Sequence, residues 1–207
     1  MEIREKILIQ AHSLFIENGI RSVTMDDLAR SLGMSKRTIY EHFGDKNELV
    51  GEDAKSFAID VKKTIEDIIE ESENVIYALP RVMQYMKDIV FIVNVTYFED
   101  LKKFYPQAHK CLVEDSSIRN FSVTDKFVQK GIEQGIFRSN MNIRLVSTFV
   151  NEILFNYHRE MLRLRDVKVG DYEKDILFAY FLGIATESGY EIILRVQTEF
   201  FQKISVV

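Results

Sequence analysis

The 207-residue sequence is poor in everything that breaks a helix or braces a chain covalently. It holds one cysteine, Cys111, two prolines and nine glycines. A single thiol excludes an internal disulfide framework and fits a reducing compartment. So few prolines and glycines leave long stretches with nothing to interrupt a helix. Long apolar runs are absent too. The longest, around Ile89 to Phe98, is broken by Asn94 and falls far short of the roughly 20 residues a membrane helix needs. Met1 to Arg4 is charged and lacks the apolar centre of a signal peptide, so a cytoplasmic location is expected. Basic charge is not in excess. The net charge is −5, and residues 1–50 hold seven Lys/Arg against eight Asp/Glu. Bulk attraction to nucleic acid is thereby excluded, and any such contact must come from a local patch.

Enzyme signatures are missing as well. There is no glycine-rich phosphate loop and no nucleophile elbow. The histidines His12, His42, His109 and His158 lie far apart, and His109-Lys110-Cys111 is too thin for a metal site. Neither catalytic residues nor a cofactor or metal is expected. What the chain does have is 46% hydrophobic and 29% charged residues, the composition of a folded globular protein.

The apolar residues recur with helical period. Ile3, Ile7, Ala11, Leu14 and Phe15 share one face over residues 2–18, and Asn18-Gly19 ends that helix. Thr24 before Met25-Asp26-Asp27 reads as an N-cap with acids set against the helix dipole. Gly33 closes this second helix and Ser35 caps a third, with Ile39 and Phe43 on its inner side. Longer helices are expected over residues 46–71, to about 93, over 95–104, 107–134, 142–165 and 172–203, roughly nine in all. Sustained period-two alternation is absent, so the fold class is all-α.

Residues 25–44 carry the most information. A helix-turn-helix needs a small residue where its two helices cross, a residue tolerant of positive φ in the turn, and a large apolar residue facing back into the angle. Ala29, Gly33 and Ile39 supply these in order, with Leu28, Leu32, Met34 and Phe43 completing a small core. The second helix then offers Ser35, Lys36, Arg37 and Thr38 in its first turn, where a recognition helix meets bases and phosphates. Tyr40, His42, Lys46 and Thr24 are further donors suited to phosphate contact. Packing of Tyr40 against the first helix, and His42 as a surface residue or part of the small core, are the competing readings.

Residues 3–50 resemble the N-terminal domain of the TetR family of transcriptional regulators. The resemblance rests on Ile7, Ala11, Leu14, Phe15, Gly19 and Thr24, on Leu28-Ala29 and Gly33-Met34-Ser35-Lys36, and on Ile39-Tyr40, His42-Phe43, Lys46 and Leu49. A weaker echo lies in residues 131–138. It implies a homodimer whose three-helix head, residues 1–45, binds double-stranded DNA at an inverted repeat, and whose residues 46–207 bind a small effector and dimerise. Most members repress transcription and release DNA on binding ligand. The resemblance assigns phosphate contacts to Thr24, Ser35, Thr38, Tyr40, His42 and Lys46, and base contacts to Lys36 and Arg37. Arg37 departs from the small residue frequent at its place.

Residues 50–165 are dense in aromatic and methionine side chains, which make good pocket walls and equally good core. The candidate effector residues are Phe57, Met83, Met86, Tyr97, Phe98, Phe121 and Phe155, with Asn94, Tyr97, His109 and Asn151 as polar anchors. Two apolar stripes on the last helices are expected to form a four-helix dimer interface or to face the protomer's own core. They are Ile143, Val146, Val150, Ile153, Tyr157 and Met161, and Leu177, Phe181, Ile184, Ile192 and Val196. A helical ligand carrier or interaction protein with a non-functional head is the alternative to the regulator.

Overall fold

The computed structural model describes residues 1–93, 95–114, 122–163 and 173–204. Helices account for nearly all of them, and no strand is present among the described residues. The first three helices are α1 (Ile3–Asn18), α2 (Met25–Leu32) and α3 (Lys36–His42), followed by the long α4 (Lys46–Glu71). Then come α5 (Val75–Ile92), α6 (Val95–Phe104), α7 (Pro106–Glu114) and α8 (Ser122–Glu133). The last are α9 (Ile143–Arg163), α10 (Ala179–Ile184) and α11 (Glu187–Ile204), with a wider π-type turn, Glu173–Phe178, leading into α10. The all-α class expected from the sequence is the one observed.

The chain divides into two compact units. One comprises Met1–Lys63 with Gln84–Ser116, the other Thr64–Met83 with Ser117–Val207. In the first unit, Ile7, Ala11 and Phe15 of α1 meet Leu28 and Ala29 of α2, Ile39 of α3 and Phe43, all buried. The same core takes in Leu49 and Val50 of α4 and Val93, Tyr97 and Leu101 from the end of α5 and from α6. Each helix contributes residues three or four apart, so burial of one apolar stripe per helix drives the assembly. Gly19 sits where α1 ends, at φ +81°, and a Cβ there would lie 2.4 Å from the Thr96 hydroxyl of α6. Only glycine admits both that conformation and that approach.

In the second unit Phe127, Phe137 and Phe181 cluster with ring centroids 5.6–6.0 Å apart. Two expectations change here. The single helix expected over 172–203 is interrupted at Ala185, which is extended (φ −73°, ψ 156°). The backbone of residues 136–138 occupies the break: Arg138 N–H donates to the Ile184 carbonyl (3.0 Å) and Thr186 N–H to the Ile136 carbonyl (2.9 Å). Thr186 then caps α11 through its hydroxyl, which accepts from Gly189 N–H at 3.0 Å. The helix expected over 107–134 is described as α7 and α8, with residues 115–121 outside the described set. Of the expected interface stripes, Val146, Val150, Leu177, Phe181, Ile184 and Val196 are buried within the chain itself. Among the described residues, the large apolar side chains left exposed on α9, the π-type turn and α11 are Leu145, Phe149, Ile176, Tyr190 and Leu194.

Candidate nucleic-acid interface

The α2–turn–α3 unit is built by local chemistry at every joint. Thr24 and Asp27 form a reciprocal cap at the start of α2. The Thr24 hydroxyl oxygen accepts from the Asp27 amide (3.1 Å), and the Asp27 carboxylate accepts from the Thr24 amide (2.9 Å). This satisfies two of the amides that a helix start leaves unpaired. The Thr24 hydroxyl, then its amide and Arg30, hold the Asp27 carboxyl below the usual carboxylate range. Gly33 ends α2 in the left-handed conformation (φ 62°), its amide reaching the Ala29 and Arg30 carbonyls. Met34 N–H also donates to the Ala29 carbonyl (2.9 Å), which folds the chain back towards α3. The Ser35 hydroxyl accepts from the Thr38 amide (3.1 Å) and lies 2.8 Å from the Thr38 hydroxyl. Ile39 is fully buried, which fixes the rotation of α3 and turns Lys36, Arg37 and Tyr40 outward.

The expected DNA-contacting residues fall into four groups. Lys36, Arg37 and Tyr40 are exposed on α3. The Lys36 ammonium lies 2.8 Å from Asp26 of α2 and 6.0 Å from the centre of the Tyr40 ring. Asp26 accordingly raises the Lys36 pKa. Arg37 is the most solvent-exposed of these, with 88% of its side chain accessible, and its Nε donates to Glu41 Oε1 at 2.9 Å. Thr24, Ser35 and Thr38 have their hydroxyls engaged in capping, Thr24 and Ser35 remaining exposed and Thr38 half-buried. His42 is half-buried at the end of α3.

Lys46 stands apart from the others. It is half-buried, and its ammonium donates to the Ile20 carbonyl (2.6 Å) and to that of Val23. The Phe15 ring centre lies 5.9 Å away. Burial pulls its pKa below the ordinary lysine value. Lys46 therefore ties the start of α4 to the α1–α2 connection. Two acids whose pairing the sequence reading did not assign, Asp26 and Glu41, hold the two bases. The Arg37–Glu41 pair was legible as an i,i+4 spacing. The Lys36–Asp26 pair spans two helices and needed the turn geometry to be seen.

Among the candidate effector residues, Phe57, Tyr97 and Phe98 are brought together. Phe57 and Tyr97 meet edge-on at 6.2 Å, and Tyr97 and Phe98 at 5.4 Å. Tyr97 is fully buried and its hydroxyl donates to Asp53 Oδ2 (2.8 Å), while His12 Nδ1 lies 2.7 Å from Asp53 Oδ1. Burial, reinforced by the Asp53 charge, raises the Tyr97 pKa. A cleft of about 300 Å³ between α1 and α4 is lined by Phe57, His12 and Asp53 among others. Met86 is buried in the first unit and Met83 in the second. Asn151 accepts from the Thr124 hydroxyl (2.6 Å). Its Nδ2 and the Ser147 hydroxyl, one turn apart on α9, are buried with no hydrogen-bond partner among the described residues. His109 is half-buried on α7. Asn94 and Phe121 lie outside the described residues, as does the side chain of Phe155.

These features define a helical fold, among the described residues, with an N-terminal helix-turn-helix whose outward face carries basic side chains. Residues 7–52 match the family model for bacterial regulatory proteins of the tetR family. A transcriptional repressor of Mycobacterium tuberculosis, KstR2, is 25% identical over 154 residues, covering 72% of this chain and 76% of its own. YvaF of Bacillus subtilis, an uncharacterised helix-turn-helix regulator, is 32% identical over half of this chain and 55% of its own. A solved TetR-family regulator from Mesorhizobium loti superposes with a TM-score of 0.65 at 20% identity, covering 88% of this chain and 96% of that one. The N-terminal head of this chain is thus similar to that of TetR-family transcriptional regulators. No helix among the described residues is long and apolar enough to cross a membrane.

Proposed function

We propose that the chain represses transcription in the cytoplasm as a homodimer bound to an inverted repeat, and that a small, mostly apolar effector releases it. In this reading residues 1–45 bind DNA, and residues 46–207 bind the effector and dimerise. The observation that carries it is the outward face of α3, where Lys36 and Arg37 are exposed on a helix whose opposite side is anchored by fully buried Ile39. Two such helices, roughly 34–36 Å apart, would enter successive major grooves. Lys36 and Arg37 take the base edges. Thr24, Ser35, Thr38, Tyr40 and His42 take phosphates, together with whatever part of the Lys46 charge reaches the backbone. A dimer offsets the modest charge of each head, because the second head binds at high effective concentration.

For the effector, Phe57, Met86, Tyr97 and Phe98 are the proposed wall residues of the first unit, with Met83, Phe121 and Phe155 as separate candidates. The unpartnered Asn151 Nδ2 and Ser147 hydroxyl support a polar anchor on α9, since a buried polar atom without a partner is costly. A relative described as a ketosteroid transcriptional regulator is consistent with a mostly apolar ligand. Release requires the effector to favour a head spacing unable to bind DNA.

The competing reading, a helical carrier whose head does not bind DNA, draws on the pairing of both outward bases with acids. A salt titration of the full-length chain on duplexes selected from a random library separates the two. The regulator gives sequence-selective binding whose log K falls linearly with log salt. Absence of binding to any duplex at low salt selects the carrier.

A further inference from the structure

We infer that Glu41 is a specificity-determining positioning residue, which acts through Arg37 and rests on the DNA-binding reading above. The geometry is selective about which donor it uses. Glu41 Oε1 takes the Arg37 Nε–H at 2.9 Å across one helical turn. A guanidinium has five N–H donors in a rigid fork. Occupying Nε leaves the two terminal nitrogens free. These are the pair that reach guanine O6 and N7 together in the major groove. The bond also fixes the plane of the guanidinium relative to α3, so an arginine with 88% of its side chain accessible has fewer orientations to lose on docking.

The same carboxylate acts in the opposite sense away from the correct site. Glu41 is exposed on the α3 face that carries Arg37 and next to Tyr40, so it approaches the phosphates of any duplex the face meets. Non-specific binding is almost wholly electrostatic and is weakened by that repulsion. Binding at the cognate site recovers the loss through the bidentate base contact. Lys36 is held differently. Its ammonium is drawn towards Asp26 on another helix and over Tyr40, which positions it without aligning a planar fork. Arg37 with Glu41 is therefore the pair that chooses a base, and the acid is part of the reader.

The test is a double-mutant cycle on the full-length chain. Duplexes selected by the wild-type protein are compared with the same duplexes carrying single base-pair changes and with an unrelated duplex. Glu41→Ala is expected to reduce discrimination by about three- to tenfold at one base pair per half-site, and to strengthen binding to the unrelated duplex. Glu41→Gln, which keeps the acceptor oxygen, restores part of that discrimination. In an Arg37→Ala background Glu41→Ala has no further effect on discrimination, a result that loss of helix stability alone would not produce. An unchanged base preference in Glu41→Ala, or an equal loss with and without Arg37, overturns the assignment while leaving the regulator reading intact. Failure of the wild-type chain to select any sequence overturns both.

Discussion

Lys46 is claimed by two demands, the phosphate contact implied by family resemblance and the carbonyls it holds. Its ammonium binds the Ile20 and Val23 carbonyls at the α1–α2 connection. Replacing it by methionine keeps most of the apolar stem over Phe15 and removes the donors. Lys46→Met is expected to lower the stability of the chain by about 1 kcal/mol, the lower end for carbonyls that water can partly reach. The urea midpoint measures this. A residue used only for phosphate would leave that midpoint unmoved. Asp27 gives a second prediction at this scale. Its carboxyl is held below the ordinary range by Thr24 and Arg30. A carboxyl whose folded pKa lies below its unfolded one stabilises fully above the unfolded value. That contribution is lost as pH falls through the folded one. Protection of the amides in the first turn of α2, taken relative to their intrinsic exchange rates, should therefore fall only on the acid side of the usual carboxylate range. Asp27→Asn should remove that pH dependence, and a pH dependence that survives in Asp27→Asn would assign it elsewhere.

At the scale of elements, α1, α2, α3, α4 and α6 were legible almost to the residue because each has an apolar stripe and a local stop. Gly19, Thr24, Gly33 and Ser35 each act through their own backbone or an amide three residues on. The break between α10 and α11 was not legible. It is imposed by residues 136–138, about 50 positions away, and periodicity within the segment continues across it. The acids on Lys36 and Arg37 divide in the same way, one spacing local and one made only when α2 and α3 cross. The burial of Val146, Val150, Phe181 and Val196 had two possible partners in the sequence, and the chain's own core is the one observed. The break has a testable consequence. A Cβ on Gly189 would lie 2.0 Å from the Ile136 carbonyl oxygen, whereas one on Gly183 meets nothing within 4 Å. Gly189→Ala is expected to destabilise the chain by about 2–3 kcal/mol through that overlap. Gly183→Ala, inside α10, should be neutral or stabilising by up to about 1 kcal/mol. Thermal unfolding of the two variants compares them directly, and equal shifts would refute the wedge formed by residues 136–138.

For the whole molecule, the proposed dimer is the step that turns two weakly charged heads into a DNA-binding protein. The apolar side chains that remain exposed after the chain has packed its own core are the ones available for it. Leu145 and Phe149 lie one turn apart on α9, and Tyr190 and Leu194 one turn apart on α11, between 39% and 59% exposed. Single exposed apolar residues are ordinary, but each of these helices carries a pair at i,i+4, the spacing that puts both side chains on one face of the helix, as a two-fold interface needs. Phe149 is also stacked on Tyr180 at 6.3 Å, which holds its ring in a defined place on that face. In a two-fold interface each substitution occurs twice, so Phe149→Glu or Leu145→Glu sets paired charges into a desolvated contact, where unpaired ions are strongly disfavoured. Either variant is expected to sediment as a monomer with unchanged helical circular dichroism, because the mutated side chain is exposed in the folded protomer. Operator binding should fall by 10²-fold or more, the order of avidity that linking two sites supplies. The salt dependence should shrink to about half as the second head's phosphate contacts are lost. A dimer that survives both substitutions would place the interface elsewhere on the chain, and full operator affinity in a proven monomer would remove the dimer from the mechanism.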